Sequence, residues 1–191
     1  GANGVAGEGQ EPQAAAEEKG KKAEPEEASG EEKDRRTFWA TFNTAQTGQA
    51  KADSVQALRG MKELASKRIL AGLLGDSHPE VRVAACHLMD QSDDRQGYFI
   101  QPLCGALSDR SLEVRRTAAT ALGDAKLNKK GAIQQLIFAL NQLEREDGKN
   151  PAAQQEVKSA IQASLVKLTG QRSANGAEGK DPAKAWTAWW E

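Results

Sequence analysis

The chain has 191 residues, with 26 Lys and Arg against 27 Asp and Glu, a formal charge of −1 and 38% hydrophobic residues. No stretch approaches the roughly 18 consecutive apolar residues of a membrane-spanning helix, and two Cys with two His supply neither a four-cysteine zinc frame nor a multi-disulfide scaffold. The near-zero charge speaks against a dedicated nucleic-acid binder while leaving room for a local basic face.

Residues 1–34 hold nine Glu and one Asp against four Lys, a balance of −6 that leaves +5 for the remainder. Val5 is the one large apolar side chain in this tract. A segment with no apolar face cannot offset the entropy of ordering, so 1–34 reads as a disordered acidic tether. Residue 1 is Gly rather than Met, and an acidic spacer ahead of a folded domain leans toward an exported, cell-envelope protein, the cytoplasm being the other reading.

The folded domain is expected over 35–170. Leu and Ala dominate it and Val and Ile are few, which favours helix over strand. Phe38, Trp39 and Phe42 predict a short helix covering one end. Residues 51–65 predict the second helix of a degenerate first repeat, with Val55, Leu58, Met61 and Leu64 as its stripe. Ser77-His78-Pro79, Asn150-Pro151 and Asp181-Pro182 place polar residues before a proline suited to a first helical turn. Gly75, Gly123 and Gly170 stand where helices should stop. Residues 171–180 read as a polar linker. Over 181–191 a short helix starting at Pro182 puts Trp186, Trp189 and Trp190 on one face. A helix of about nine residues is unstable alone in water. It is therefore expected to fold back as a cap on Ile133, Ile137, Leu165 and Leu168; docking onto another protein or a second copy is the alternative.

Shifting the sequence by 33 residues aligns it with itself. Leu70 falls on Leu103 and Leu136, and Leu74 on Leu107 and Leu140. Asp76 falls on Asp109, Glu80-Val81-Arg82 on Glu113-Val114-Arg115, Ala85 on Ala118 and Met89 on Leu122. A third copy, Glu156-Val157-Lys158, follows a longer loop around 144–150. Each unit is a first helix with Leu at i and i+4, a turn, and a second helix with apolar residues at Val, Val+4 and Val+8. Such a pair cannot bury its stripe alone, so neighbouring pairs must stack.

The stretch Asp109–Gly123, with its Asp, Val-Arg, Ala-Ala and Leu-Gly, resembles the HEAT-like repeats of bacterial helical solenoids, and Asp76–Asp90 follows the pattern less fully. The resemblance spans roughly 50–170 and implies an all-α fold, a short right-handed solenoid of three to four stacked helix pairs. The ending, Leu168-Thr169-Gly170, a linker, Asp181-Pro182 and the Trp186–Trp190 cluster, also resembles the C-terminus of many such proteins. The family pattern further implies that the turn Asp and helix Arg of successive repeats, here Asp76, Arg82, Asp109 and Arg115, form a hydrogen-bonded ladder.

No catalytic constellation emerges, so no enzyme and no cofactor are expected. His78 lies in a turn and reads as an exposed capping residue. His87 lies off the apolar stripe of its helix. Neither sits in a nucleophile-elbow or papain-like context, and no phosphate-binding glycine motif occurs. Cys86 and Cys104 fall on adjacent helices and read as core packing, with a disulfide as the alternative. A solenoid of this kind is expected to serve as a scaffold for a protein partner, as a monomer. The family arrangement would expose Val+2 and Val+6 of each second helix on the concave side: Val83 and His87, Arg116 and Thr120, Ser159 and Ala163. That surface reads as mildly basic. The rival use is a nucleic acid or other polyanion held by Arg116 and the lysines of 126–130.

Overall fold

The computed structural model describes residues 30–94, 96–125, 129–146, 150–171 and 181–191, and these contain helices and turns with no strand. The helices are α1 (Gly30–Thr44), α2 (Gly48–Val55), α3 (Leu64–Leu73), α4 (Pro79–Gln91), α5 (Ile100–Ala106), α6 (Leu112–Gly123), α7 (Lys129–Arg145), α8 (Pro151–Thr169) and α9 (Pro182–Trp190). Residues 1–29, and with them most of the acidic tract, lie outside the described residues, as do 172–180 of the linker.

Helices pair in chain order, α1 with α2, α3 with α4, α5 with α6 and α7 with α8. The second members then pack on one another as a continuous layer, α2 on α4, α4 on α6 and α6 on α8. In the other layer α1, α3 and α5 pack more loosely on one another, while α5 meets α7 and α7 meets α9. A two-layered stack packed more tightly on one side bends toward that side, so the α2–α4–α6–α8 layer is the inner face.

The repeat explains the tight layer. Val81, Ala85 and Met89, then Val114, Ala118 and Leu122, then Val157, Ile161 and Leu165 are all buried. They lie four residues apart and so stand above one another on one helix face. Small residues let the backbones close in between α6 and α8. A Cβ added at Gly123 would stand 3.0 Å from the Cα of Ser164 and 2.6 Å from its Oγ. The Ser164 hydroxyl, buried, donates to the Ala119 carbonyl at 2.7 Å.

At the first end the structure corrects two expectations. Helix α1 starts at Gly30, not 35, because Glu31 is recruited into the fold. Its carboxylate accepts the backbone N–H groups of Lys62 at 2.7 Å and Glu63 at 3.0 Å and the Ser66 hydroxyl at 3.1 Å. It thereby caps the start of α3, whose own N-cap residue, Glu63, makes no side-chain cap bond. Burial alone would raise the Glu31 carboxyl, but those donors together with Arg35 hold it below the usual range. Residues 51–65 do not form one helix. The chain leaves α2 through a 3-10 turn at Gln56–Leu58, and Gly60, at a φ of 78°, reverses it. Leu64 opens α3, exposed rather than in a buried stripe. Phe38 and Phe42 cover the end as read, while Trp39 stays 41% exposed.

At the other end Gly170 stops α8 with a φ of 72°, a left-handed conformation suited to glycine. Asn150 and Asp181 cap α8 and α9, accepting the N–H groups of Ala153 and Lys184, both at 3.1 Å. Helix α9 packs on α7. Trp186 is 2% exposed, Trp189 and Trp190 are half-buried against the core, and Asn141 of α7 donates to the Thr187 hydroxyl at 3.0 Å. The cap thus prolongs the first-helix layer.

Cys86 and Cys104 carry free thiols, Cys86 buried and Cys104 half-buried, so the disulfide alternative does not hold. Burial pushes the two thiols up to about 12 and about 11.

Gly123→Ala should lower stability by about 2 kcal/mol, the cost of overpacking a closed contact. Gly105→Ala, where an added Cβ meets nothing within 4 Å, should raise it by up to about 1 kcal/mol through the unfolded chain. Urea unfolding of the two variants checks the pair; equal effects would mean that α6 and α8 are not in backbone contact.

Candidate functional site

Each turn between the helices of the two central repeats is built by one aspartate. Asp76 accepts the His78 N–H at 2.8 Å, and Asp109 accepts the Ser111 N–H at 2.7 Å, the same local turn in successive repeats. Arg82 of α4 donates to the Asp76 carbonyl of its own turn at 2.8 Å. It then forks onto the Asp109 carboxylate of the next turn through Nε and Nη2, both at 2.8 Å. Arg115 of α6 donates to the Asp109 carbonyl and reaches both oxygens of Glu146 at 2.8–2.9 Å. In α8, Lys158 meets Glu144 at 2.9 Å. The Asp109 bond is the main cause holding the Arg82 guanidinium more firmly protonated than usual. Burial alone would raise the Asp109 carboxyl, but the Arg82 fork and the Ser111 N–H outweigh it and hold it below the usual range.

Held in register this way, α2, α4 and α6 enclose a groove of about 410 Å³ on the inner face. Ala52, Pro79, Val83 and Ala84 give it an apolar floor, and Asp53, Glu80, Glu113 and His87 stand around it. Of the residues read from sequence as a binding face, His87, Thr120, Ser159 and Ala163 are exposed, and Val83 and Arg116 are half-buried. Val83 and His87 line the groove; Thr120 and Ser159 do not. Arg116 is committed to Glu113 at 2.5 and 3.1 Å and lies 4.0 Å from Glu156. The bond to Arg116 is the main cause holding the Glu113 carboxyl below its usual range. The expected mild basicity is therefore corrected. Glu80, Glu113 and Glu156 recur inside the repeat signature, so in the sequence they stand as part of the repeat rather than of a surface.

Further recesses lie among the described residues. One, of about 350 Å³, lies where α4 and α6 end, among Asp90, Asp94 and Asp124. Asp94 is engaged there by the Phe99 N–H at 2.8 Å and by Lys67 at 3.2 Å, and Asp124 pairs with Lys167. Another, of about 530 Å³, lies outside, between α1 and α3, with Trp39, Phe42, Ile69 and Leu73 in its wall.

Ser77, His78 and Asp76 touch one another, but both contacts of the ring, at 3.0 Å, fall on Nδ1. A proton relay needs the acid on one ring nitrogen and the hydroxyl on the other. His78 occupies the N-cap position of α4 without making a side-chain cap bond. Among the described residues no three His, Cys, Asp or Glu side chains are grouped to hold a metal ion.

Residues 66–155, from α3 into α8, match the family described as HEAT repeats. That stretch is a run of HEAT-like repeats. Its all-α solenoid has the architecture that the repeat implies. HEAT repeats generally mediate protein–protein interaction, and the family is typically a non-catalytic scaffold. No curated protein and no solved structure matches the chain. No helix of the described residues is long and apolar enough to cross a membrane.

Asp90 offers a check on the electrostatics of this face. Burial, aided by the nearby Asp124, raises its carboxyl above the usual range. A carboxyl raised on folding costs stability wherever it is ionised and ceases to cost once pH falls below its unfolded value. Asp90→Asn should therefore stabilise at pH 7, read as a raised Tm, with no gain at pH 3. A gain of equal size at both pH values would place the effect elsewhere.

Proposed function

We propose that this HEAT-like repeat protein is a non-catalytic interaction module that takes its partner on the inner layer of second helices. The observation that carries this reading is the groove between α2, α4 and α6, where Val83 and His87, the positions two and six residues past Val81, line a recess on the inner face. Its apolar floor and polar rim have the composition of a contact surface, and Thr120 of α6 and Ser159 of α8 extend it as exposed polar positions. The ladder residues Asp76, Arg82, Asp109 and Arg115 act behind this surface, setting the spacing of the helices that form it. Trp186, Trp189 and Trp190 serve as the cap of the outer layer. A polyanion is disfavoured: Arg116 is neutralised by Glu113, and the carboxylates of Asp53 and Glu80 would repel phosphate. Lys126 of the expected basic cluster lies outside the described residues.

Photocrosslinking in the native cells tests the surface. A benzophenone amino acid at position 83 or 120 should give adducts of one discrete mass, reduced about tenfold when Thr120→Arg is added to the position 83 variant. Adducts formed equally from position 138, where Phe138 is exposed on α7, would contradict the inner-face reading.

A further inference from the structure

The groove also states the chemistry of what it takes, and this inference rests on the inner-face reading above. Three helices contribute one carboxylate each, Asp53 from α2, Glu80 from α4 and Glu113 from α6. Glu113 is balanced by Arg116. Asp53 accepts only a neutral donor, the Gln49 amide at 2.8 Å, and Glu80 holds no salt bridge among the described residues. Arg82, two residues beyond Glu80 in the chain, feels its charge but gives its hydrogen bonds to Asp109 and its own turn. His87 is the one basic side chain in the lining. Between these carboxylates the floor is made of small apolar side chains, Ala52, Pro79, Val83 and Ala84.

Packed helices stand about 8–10 Å apart, and an extended chain advances about 3.3 Å per residue. A strand laid across α2, α4 and α6 would thus meet a new helix, and its acidic residue, about every third residue. We propose that the groove binds an extended polypeptide segment of a partner that carries Lys or Arg at about every third position with small residues between. The cations meet Asp53 and Glu80 and compete with Arg116 for Glu113, and the small residues lie on Ala52, Val83 and Ala84. The occupant is a cationic segment because a neutral one would leave two carboxylates desolvated beside it, and an anionic one would be repelled.

The test uses the full chain and a fluorescein-labelled nonapeptide with arginine at every third position and alanine elsewhere, compared with the same peptide bearing neutral citrulline and with a single-stranded oligonucleotide. Fluorescence anisotropy should show the arginine peptide binding at least about tenfold tighter than the citrulline peptide at low salt, the gap closing as salt is raised. Asp53→Asn with Glu80→Gln should weaken the arginine peptide about tenfold and leave the citrulline peptide unchanged; if the double variant unfolds, Asp53→Asn alone should give a smaller loss of the same kind. Equal binding of the two peptides, no binding of either, or tighter binding of the oligonucleotide would overturn the proposal. Val83→Arg separates the two readings. If it abolishes binding of both peptides while the carboxylate variants change nothing, the cationic assignment fails and the inner-face reading stands. If peptide binding survives Val83→Arg, both fail.

Discussion

The fork from Arg82 to Asp109 joins one repeat to the next by something more specific than apolar contact. Both partners are shielded from water, the Arg82 side chain 3% and the Asp109 side chain 13% exposed. The guanidinium is fully used, two nitrogens on the next turn's carboxylate and the third on its own turn's carbonyl. A buried pair of this kind adds little when compared with two well-packed apolar residues, yet loss of one partner strands the other charge and costs about 3–5 kcal/mol. Its contribution is therefore register. Apolar faces tolerate sliding, whereas a bidentate pair has one geometry.

Register decides the rest. With α4 and α6 fixed by the fork, α6 and α8 close until the Gly123 backbone meets Ser164. In the outer layer the links are side-chain contacts, Glu31 with the start of α3 and Lys67 with Asp94, and α1, α3 and α5 are spaced more loosely. The difference curves the stack and opens the groove on its inner face. The two ends are closed by different chemistry: Glu31 supplies the donors at the start of α3 with their acceptor, and Trp186 buries its indole against α7. Along the inner face the exposed Arg116–Glu113 pair is of the weak, solvent-screened kind and spreads no order to neighbouring repeats.

The repeat itself was legible in the sequence because it is written in burial. Val81, Val114 and Val157 recur with their four-residue stripes, and every one of those positions is in the core. The caps at Asn150 and Asp181 were legible for a local reason, a side chain bonding three residues ahead. What was missed depends on residues far apart in the chain. Glu31 looks like one more acidic residue of a solvated tract until the N–H groups of Lys62 and Glu63 are placed beside it. The break at Gly60 was hidden because Val55, Leu58 and Met61 are indeed buried, but Val55 from the end of α2 and the other two from the turn beyond it. The charge of the groove is hidden in the sequence because Arg116 stands there as a cation, whereas in the fold Glu113 neutralises it. The rung at Arg115 uses Glu146, which lies 37 residues after Asp109 rather than at the repeat spacing of 33, beside the longer loop before α8.

The most direct measurement is a double-mutant cycle across the fork, with Arg82→Ala, Asp109→Asn and the two together, each followed by urea unfolding at neutral pH. Asparagine leaves an acceptor for the Ser111 N–H, so the turn is kept while the charge is removed. A coupling of about 2–3 kcal/mol is expected, near the upper end for contacting residues, against less than about 1 kcal/mol for the same cycle on Arg116 and Glu113. If Arg82 and Asp109 prove additive to within about 0.5 kcal/mol, the fork does not hold the repeats in register and the account of the inner face built on it is wrong.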